Sequence, residues 1–586
     1  MSELNNTTGR AGTETIFKFR QESLFWGSAV VLLFLYLWSP ALGQEELRFG
    51  EILREMQVSG NLFHGAVNWQ IVPGCSLLNC WISLVFVKLF GLTAFGLRFP
   101  AVLAALGGLY ALRLLGKNLF DKKTALLSSW MFLGSAGFLM TGRMAAPDMA
   151  CCASLLMAAA WLFSSREKWG FCSYLGFYLF CFGGVFFKDL AALILPAMLV
   201  AGLLITGNRW KKHLRWKNLL AFLIAALLAG VYFYLPVFFS PAPQQTFALK
   251  AESSCFVIAY GFFRECLLHP GEIGSGALNA LENLLIALMP WTLMLPVGIA
   301  GFLKHRNELS SPAKVLFAGV CVTLLFYCFF KESCSNLLFN TVPFIFLFSA
   351  AGFCQWGEFK WNKAVFSAAY YILIVCASLC IGTVIGYPLW ERLARCTPPA
   401  ALVLAPVAAG ILAWSALFVD HKKNTTLGNH AGLPHPVVSV ILAGTLLSGA
   451  FFSVLLPVVT DFFDSQRRFF TPFRRIEAHL GCRVVSFMEF VPTACLFYSR
   501  IKHAVPRTDD LGELARKFPG SKVLIIFKER RDICEKFSDQ CRKYGVAPEK
   551  PYSREELSRW SAPDSREEKY ISYLITLPSG KENGQK

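Results

Sequence analysis

The amino-acid sequence predicts a mostly α-helical, polytopic membrane protein that ends in a small α/β domain outside the membrane. Of its 586 residues 55% are hydrophobic and only 16% are charged, whereas soluble domains carry about 25% charged residues. Apolar runs of nearly twenty residues recur along the first 460 residues, and the composition becomes more polar after residue 461. This composition excludes a cytosolic enzyme and a disordered chain.

Thirteen apolar runs approach the length of a transmembrane helix, which needs about 20 residues per crossing. They lie at 24–42, 98–116, 124–141, 149–165, 171–187, 189–206, 217–240, 279–302, 315–330, 336–354, 365–387, 398–419 and 436–460. The first run lacks a short core followed by a small-residue cleavage site, so we expect it to be a retained helix.

The short apolar segment Leu77–Leu89 decides the orientation of the chain. If it lies on the membrane surface, six loops rich in lysine and arginine face the cytoplasm, as the positive-inside rule requires. The N-terminus is then cytoplasmic, and residues 43–97 form a first outer loop with amphipathic helices. We therefore expect a membrane domain at 1–460 and a domain on the outer side of the membrane at 461–586. We attribute the net charge of +18 to the basic loops that orient the helices, and not to nucleic-acid binding.

The region after residue 460 alternates predicted strands and helices, which is typical of a small α/β domain. The predicted strands are Val484–Met488, Cys495–Tyr498, Val523–Phe527 and Tyr570–Leu577, and the predicted helices are Leu511–Phe518 and Asp532–Tyr544. Four cysteines lie in this region, and an oxidising compartment would permit a disulfide whose pairing the spacing leaves open.

Adjacent carboxylates, Glu45 and Glu46, follow the first predicted span and can serve as a general base or as metal ligands. The alternative is a solvated amphipathic helix in which Glu51 and Glu55 face Arg48 and Arg54 at helical spacing. The spacing alone favours this alternative.

Asp148 follows Pro147 at the outer end of a predicted span, close to Arg143. A carboxylate there can bind or activate a substrate, and it can also favour a helix N-terminus through the helix dipole. The two interpretations are compatible.

Lysines stand at the outer ends of two apolar runs, at Lys188 and Lys331. A lysine at this depth suits a lipid phosphate, and the alternative is a side chain that reaches past the apolar region into water. Arg264, Glu265 and His269 lie in the third outer loop, where they contact substrate or solvent.

Six segments, in this order, resemble GT-C glycosyltransferases that use polyprenyl-phosphate sugars, in particular the family of the lipid A aminoarabinose transferase and the protein mannosyltransferases. They are EELRFGEILREM at Glu45–Met56, KLFGLTAFGLRFPAVLAAL at Lys88–Leu106, GRMAAPDMA at Gly142–Ala150, FFKDLAALILP at Phe186–Pro196, and FFRECLLHP with LMPWTLMLP at Phe262–Pro270 and Leu288–Pro296. The order of the segments carries the resemblance more than any single motif.

The resemblance implies an inverting transfer of a sugar from an undecaprenyl-phosphate donor to a lipid, glycan or protein acceptor outside the bacterial inner membrane, as in lipid A modification. It implies catalytic roles for Glu45 and Asp148. The residues that it implies for substrate binding are Glu46, Arg48, Arg143, Lys188, Arg264, Glu265 and Lys331. No metal site is assigned, and a divalent cation beside the acids is left open.

The chain departs from the family pattern at several positions. Glu45 stands where the family has aspartate, Cys75-Ser76-Leu77 where it has Lys-Pro-Pro, Ser335-Asn336-Leu337-Leu338 where it has Ser-Lys-x-Pro, and Lys188-Asp189 where it has Lys-Gly. A different donor or a catalytically weakened relative would account for the two absent lysines. Two further alternatives are a transporter or flippase of lipid-linked sugars, which the absence of an internal repeat disfavours, and a non-catalytic scaffold.

Overall fold

The computed structural model describes residues 21–578 with gaps at 73–74, 165–169, 189, 208–215, 240–269, 330–337, 356–367, 382–400, 423–434, 464–466, 468–469, 471–481, 502, 529 and 550–569. The chain divides into two compact units. The first unit comprises Met1–Trp38, Ser76–Gly91 and Phe95–Val458, and the second comprises Ser39–Cys75, Leu92–Ala94 and Val459–Lys586. The boundary expected at residue 460 remains a prediction.

Helices form nearly all of the first unit. They are α1 at Gln21–Phe34, and α3 Leu77–Phe90, α4 Ala94–Leu119, α5 Lys122–Leu133, α6 Ala136–Thr141, α7 Asp148–Ser164, α8 Phe171–Phe187, α9 Ile194–Gly207, α10 Trp216–Phe238, α11 Pro270–Leu288, α12 Leu295–Lys304, α13 Ser311–Phe329, α14 Val342–Gln355, α15 Ala368–Ile381, α16 Ala401–Lys422 and α17 His435–Ala450. A π-helical turn, Phe451–Leu455, joins α17 to α18, Leu456–Phe463. Helices thus follow the predicted apolar runs.

Within the described residues, three helices are long and apolar enough to cross a membrane: Ala94–Leu119, Trp216–Pro236 and Val440–Asp461. The pair Leu278–Leu288 and Trp291–Lys304, bent by 108°, would make a fourth span if it crosses as one. The other apolar helical stretches that qualify are 10–17 residues long, such as Ser311–Phe326 within α13 and Val403–Ser415 within α16. The number of about thirteen spans therefore remains a prediction, whereas the mostly helical fold is confirmed.

Glycines allow two helices of the first unit to approach closely. A Cβ atom added at Gly352 of α14 would collide with the carbonyl oxygen of Gly298 in α12, and one added at Gly301 would lie 3.3 Å from the carbonyl oxygen of Gly352. Small residues at such a contact bring two helix backbones together, which is how helices associate in a lipid environment.

The break between α11 and α12 is held by the buried side chain of Trp291. Its Nε1 donates to the carbonyl oxygen of Met131 at 2.7 Å, and Gly134 and Gly444 leave room for its ring. The main-chain N–H of Ala136 also donates to the carbonyl of Met289, at 2.8 Å. Hydrogen bonds therefore join the bend to the end of α5 and to the first residue of α6.

The second unit contains α2, Gln44–Ser59, a hairpin of β1, Ala66–Val67, and β2, Gln70–Ile71, and the C-terminal α/β region. The C-terminal elements are β3 Arg483–Phe487, α19 Thr493–Ser499, β4 Arg507–Thr508, α20 Leu511–Lys517, β5 Lys522–Lys528, α21 Arg531–Lys543 and β6 Tyr570–Thr576. Among the described residues these strands form a sheet in the order β4-β3-β5-β6, in which β6 alone runs antiparallel to its neighbour. The small C-terminal sheet is confirmed.

One predicted strand of this region is wrong, because Cys495–Tyr498 lies in the helix α19. A short apolar run has the same appearance in a buried strand and in a buried helix. Here Pro492 precedes the first helical residue, and Ala494, Cys495 and Leu496 are buried in a helix that packs against α2. The two-residue strand β4 was not predicted.

Asn68 joins the β1–β2 hairpin to the C-terminal region within the second unit. Its Nδ2 donates to the carbonyl oxygen of Val505 at 3.0 Å, and its Oδ1 accepts from the N–H of Val505 at 2.7 Å. Asn68 and Trp69 form the turn with φ values of 54° and 63°, a left-handed conformation that is uncommon for a bulky residue. Paired hydrogen bonds compensate part of the cost of this turn.

Candidate active site

Asp148 and Lys188 meet at the ends of two packed helices. Asp148 is the first residue of α7, directly after Pro147, where the positive end of the helix dipole favours a carboxylate. Lys188 is the residue that follows α8, where a cation is favoured for the same reason. The Nζ of Lys188 donates to Oδ1 of Asp148, and the two side chains are 15% and 20% exposed. Both side chains are therefore partly open to solvent.

The first turn of α2 carries the acids that the sequence singled out. Glu45 and Arg48 are exposed, whereas Glu46 is buried. The Oε2 of Glu46 accepts from the N–H of Gly43 at 3.1 Å, so this carboxylate caps the N-terminus of α2. Glu45 is thus the member of the acid pair whose side chain is open to solvent.

Farther along α2, a buried ion pair and a second buried acid lie together. Arg54 donates to both carboxylate oxygens of Glu51, at 2.8 Å and 2.7 Å, and its Nη2 lies 3.9 Å from Oε1 of Glu55. The Oε2 of Glu55 accepts from the N–H of Trp69 at 2.9 Å. The helical pairing expected for Glu51 and Arg54 is therefore confirmed, but it is buried and not solvated.

Burial raises the pKa of Glu55 from 4.5 to about 7. The neighbouring carboxylate of Glu51 raises it further, while the hydrogen bond from Trp69 and the charge of Arg54 oppose the rise. Glu55 therefore changes its charge near neutral pH, inside the helix that presents Glu45.

Arg143 is buried and binds main-chain carbonyl groups. Its Nη1 donates to Phe452 at 2.8 Å, and its Nη2 donates to Ser453 at 3.0 Å and to Leu35. Phe452 and Ser453 belong to the π-helical turn, and Leu35 directly follows α1. A π-helical turn loosens the regular bonding of a helix, and a guanidinium group can satisfy the carbonyls involved. Substrate binding by Arg143 remains a prediction.

Three predicted binding residues, Arg264, Glu265 and Lys331, lie outside the described residues, as does His269. In the part of the chain that the structure describes, no three His, Cys, Asp or Glu side chains are grouped closely enough to hold a metal ion.

The amino-acid sequence is similar to those of known glycosyltransferases. Residues 75–234 match the family model described as dolichyl-phosphate-mannose-protein mannosyltransferase. The undecaprenyl phosphate-alpha-4-amino-4-deoxy-L-arabinose arabinosyl transferase 1 of Proteus mirabilis is 24% identical over 476 residues, covering 69% of this chain and 84% of that protein. A transferase of the same description from Shewanella sediminis is 26% identical over 329 residues, covering 54% of this chain and 52% of its own length.

Solved structures agree with these sequence matches. The crystal structure of ArnT from Cupriavidus metallidurans bound to undecaprenyl phosphate has a TM-score of 0.65 and 13% identity, covering 96% of this chain and 99% of that one. The apo structure of the same protein has a TM-score of 0.64, and the match covers 94% of this chain and 97% of that one. At this identity the structural match shows a shared fold.

These matches indicate a glycosyltransferase, and the chain resembles the ArnT-like and protein mannosyltransferase-like enzymes.

The structure pairs the predicted residues Asp148 and Lys188 and leaves Glu45 exposed at a helix start. Sequence reasoning missed the contacts of two residues near Lys188, Ser76 and Tyr232, whose hydroxyl groups donate to the main-chain carbonyl of Phe186. The departure from the family pattern at Cys75-Ser76-Leu77 could have drawn attention to Ser76. Nothing in the sequence drew attention to Tyr232, because tyrosine is common in apolar runs.

An apolar groove of about 660 Å³ lies along the bend between α11 and α12 of this glycosyltransferase. Its lining is Leu278, Leu281, Glu282, Leu285, Ile286, Met289, Pro290, Thr292 and Leu293. Such a surface accepts any hydrocarbon chain, so it does not distinguish a prenyl donor from a membrane lipid.

Proposed function

We propose that this glycosyltransferase transfers a sugar from a polyprenyl-phosphate donor, of the undecaprenyl-phosphate type, to a lipid, glycan or protein acceptor, with inversion at the anomeric carbon. The names of the relatives from Proteus mirabilis and Shewanella sediminis support the lipid carrier, as does the undecaprenyl phosphate bound to a protein of the same fold. The observation that carries the proposal in this chain is the accessible pair of Lys188 and Asp148.

In the proposed reaction the ammonium group of Lys188 binds the donor phosphate. The phosphodiester of the donor carries one negative charge, as a carboxylate does, and its free oxygens can replace Asp148 as the partner of Lys188, which leaves Asp148 able to orient the acceptor. Glu45 accepts the proton of an acceptor hydroxyl as its oxygen attacks the anomeric carbon. The bond from that carbon to the phosphate oxygen breaks, and the prenyl phosphate departs with the electron pair. One base is sufficient for a single inverting displacement.

The remaining proposed binding roles belong to Glu46, Arg48, Arg143, Arg264, Glu265 and Lys331. Arg48 is exposed and can meet a phosphate, whereas Glu46 acts through the helix start that it caps. A divalent cation beside Asp148 is left open.

We also propose the finer topology. About thirteen spans would cross the bacterial inner membrane with the N-terminus in the cytoplasm, and the C-terminal domain, 461–586, would lie in the periplasm. The distribution of lysine and arginine between alternate loops supports this orientation. The transfer then takes place on the periplasmic side.

The test uses purified full-length protein in detergent with synthetic undecaprenyl-phosphate sugars and bacterial membrane extract as the acceptor source. We expect sugar transfer by the wild type and a loss of about 10²–10⁴-fold in Glu45→Gln, because that change removes the proposed base. Asp148→Asn and Lys188→Ala should also reduce the rate. Glu308→Gln changes a carboxylate that is 70% exposed and serves as the control.

Full activity in both Glu45→Gln and Asp148→Asn would overturn the proposed site. Movement of the lipid-linked sugar across liposome membranes without product formation would favour the alternative of a transporter or flippase. A protein that binds the donor and does neither would be a non-catalytic relative.

A further inference from the structure

The last turn of α8 is tied to two other segments through the carbonyl group of Phe186. The Oγ of Ser76 donates to this carbonyl oxygen at 2.8 Å, and the hydroxyl of Tyr232, in α10, donates to it at 3.2 Å. A carbonyl oxygen has two lone pairs, enough for both donors. The last carbonyls of a helix lack partners within the helix, so outside donors stabilise this end.

The same hydroxyl groups also serve the start of α3. The hydroxyl of Tyr232 accepts from the N–H of Leu78 at 3.0 Å, and the Oγ of Ser76 accepts from the N–H of Asn79 at 3.3 Å. The first N–H groups of a helix likewise lack partners within the helix. Each hydroxyl therefore bridges the N-terminus of α3 and the C-terminus of α8. We call these four hydrogen bonds the Phe186 junction.

The Phe186 junction lies two residues before Lys188. The N–H of Lys188 donates to the carbonyl of Gly184 at 3.0 Å, and the residue has φ −126° and ψ −87°, which takes the chain out of the helix. The rings of Phe186 and Tyr232 pack with their centres 4.5 Å apart. A shift of the last turn of α8 would therefore move the ammonium group of Lys188 relative to Asp148.

We propose that Ser76 and Tyr232 are positioning residues that hold Lys188 where it meets Asp148 and the donor phosphate. The phosphate part of this inference rests on the proposed function, whereas the contact of Lys188 with Asp148 does not. Ser76 lies in the segment where the family has Lys-Pro-Pro. In this chain the segment supplies a hydroxyl group that holds the end of α8 next to Lys188.

The test compares Tyr232→Phe and Ser76→Ala with matched controls. Tyr234→Phe removes a hydroxyl from a ring that is 61% exposed on the same helix, and Ser76→Thr keeps the hydroxyl at the junction. The first measurement is the labelling rate of the Lys188 amine by an acylating reagent, followed by mass spectrometry without any substrate. We expect labelling several-fold faster in Tyr232→Phe and Ser76→Ala, because Lys188 would leave Asp148 more often.

The second measurement is protection of Lys188 by undecaprenyl phosphate, together with KM and kcat. We expect a several-fold higher KM for the donor with a smaller change in kcat, and wild-type behaviour in both controls. Faster labelling without protection by undecaprenyl phosphate would support the positioning role and contradict the role of Lys188 in the proposed function. Wild-type labelling rates in both Tyr232→Phe and Ser76→Ala would overturn the inference.

Discussion

Glu55 shows how a single buried acid makes a protein sensitive to pH. Its side chain is 1% exposed, accepts the N–H of Trp69 and lies beside the ion pair of Glu51 and Arg54. Burial raises its pKa from 4.5 to about 7, so the folded protein holds this proton across a range in which the unfolded chain releases it. Stability is linked to that difference in bound protons.

We expect the contribution of Glu55 to stability to be fully present below pH 4.5 and lost as the pH rises to about 7. The loss should amount to at most about 3.5 kcal/mol, at about 1.4 kcal/mol per pKa unit. Glu55→Gln should remove this pH dependence, and Glu513→Gln, at a 56% exposed position, should keep it. Thermal unfolding in detergent between pH 4.5 and 8 measures the effect. An unchanged pH dependence in Glu55→Gln would contradict the prediction.

The turn between β1 and β2 is stabilised by a segment that lies far away in the chain, through the side chain of Asn68. Its side chain donates to and accepts from the main chain of Val505, and its φ of 54° suits asparagine better than most residues. The turn therefore depends on both its backbone conformation and its hydrogen bonds.

We expect Asn68→Ala to lower the free energy of unfolding of the second unit by about 3–4 kcal/mol. Each of the two hydrogen bonds contributes about 1 kcal/mol, and alanine in the left-handed conformation costs about 1–2 kcal/mol. Asn68→Gly should lose only the part due to hydrogen bonds, because glycine tolerates positive φ. Hydrogen exchange at the amide of Val505 measures the change. Equal protection in the wild type and Asn68→Ala would contradict the prediction.

The contact between α12 and α14 depends on a glycine. We expect Gly352→Ala to destabilise the first unit by about 1–3 kcal/mol, because the added methyl group would meet the carbonyl of Gly298 and force the helices apart. Gly107→Ala in α4 places its methyl group where no atom lies within 4 Å, so it should be neutral or slightly stabilising. Thermal unfolding in detergent compares the two variants. Equal unfolding temperatures for Gly352→Ala and Gly107→Ala would show that α12 and α14 accommodate the methyl group without loss of stability, and would contradict the prediction.

For the whole molecule, the excess of lysine and arginine in alternate loops leads to a prediction of sidedness. Alkaline phosphatase fused after residue 586 should be active, because this reporter requires the periplasm, and green fluorescent protein fused there should be dark. Fusions after Arg306 should show the reverse result, since that loop is expected in the cytoplasm. An inactive phosphatase after residue 586 would place the C-terminal domain in the cytoplasm and contradict the topology.

Local features were predictable where neighbouring residues supply the physical cause. Asp148 begins α7 because the helix dipole and a preceding proline act over a few residues, and Glu51 pairs with Arg54 because three residues bring side chains to one helix face. Cys495–Tyr498 was predicted wrongly because four apolar residues have no period long enough to separate strand from helix. The error was resolved by packing, which a local pattern does not contain.

Composition and the lengths of the apolar runs were enough to predict the mostly helical class, and the order of short segments was enough to predict a glycosyltransferase. These features can be read along the chain without knowing which residues meet in space. Three features required the folded structure: the contact of Lys188 with Asp148, the hydrogen bonds from Tyr232 and Ser76 to the carbonyl of Phe186, and the burial that raises the pKa of Glu55 to about 7. Hydrogen bonds and desolvation act over a few ångströms in space, and folding brings together groups that lie tens to hundreds of residues apart in the chain.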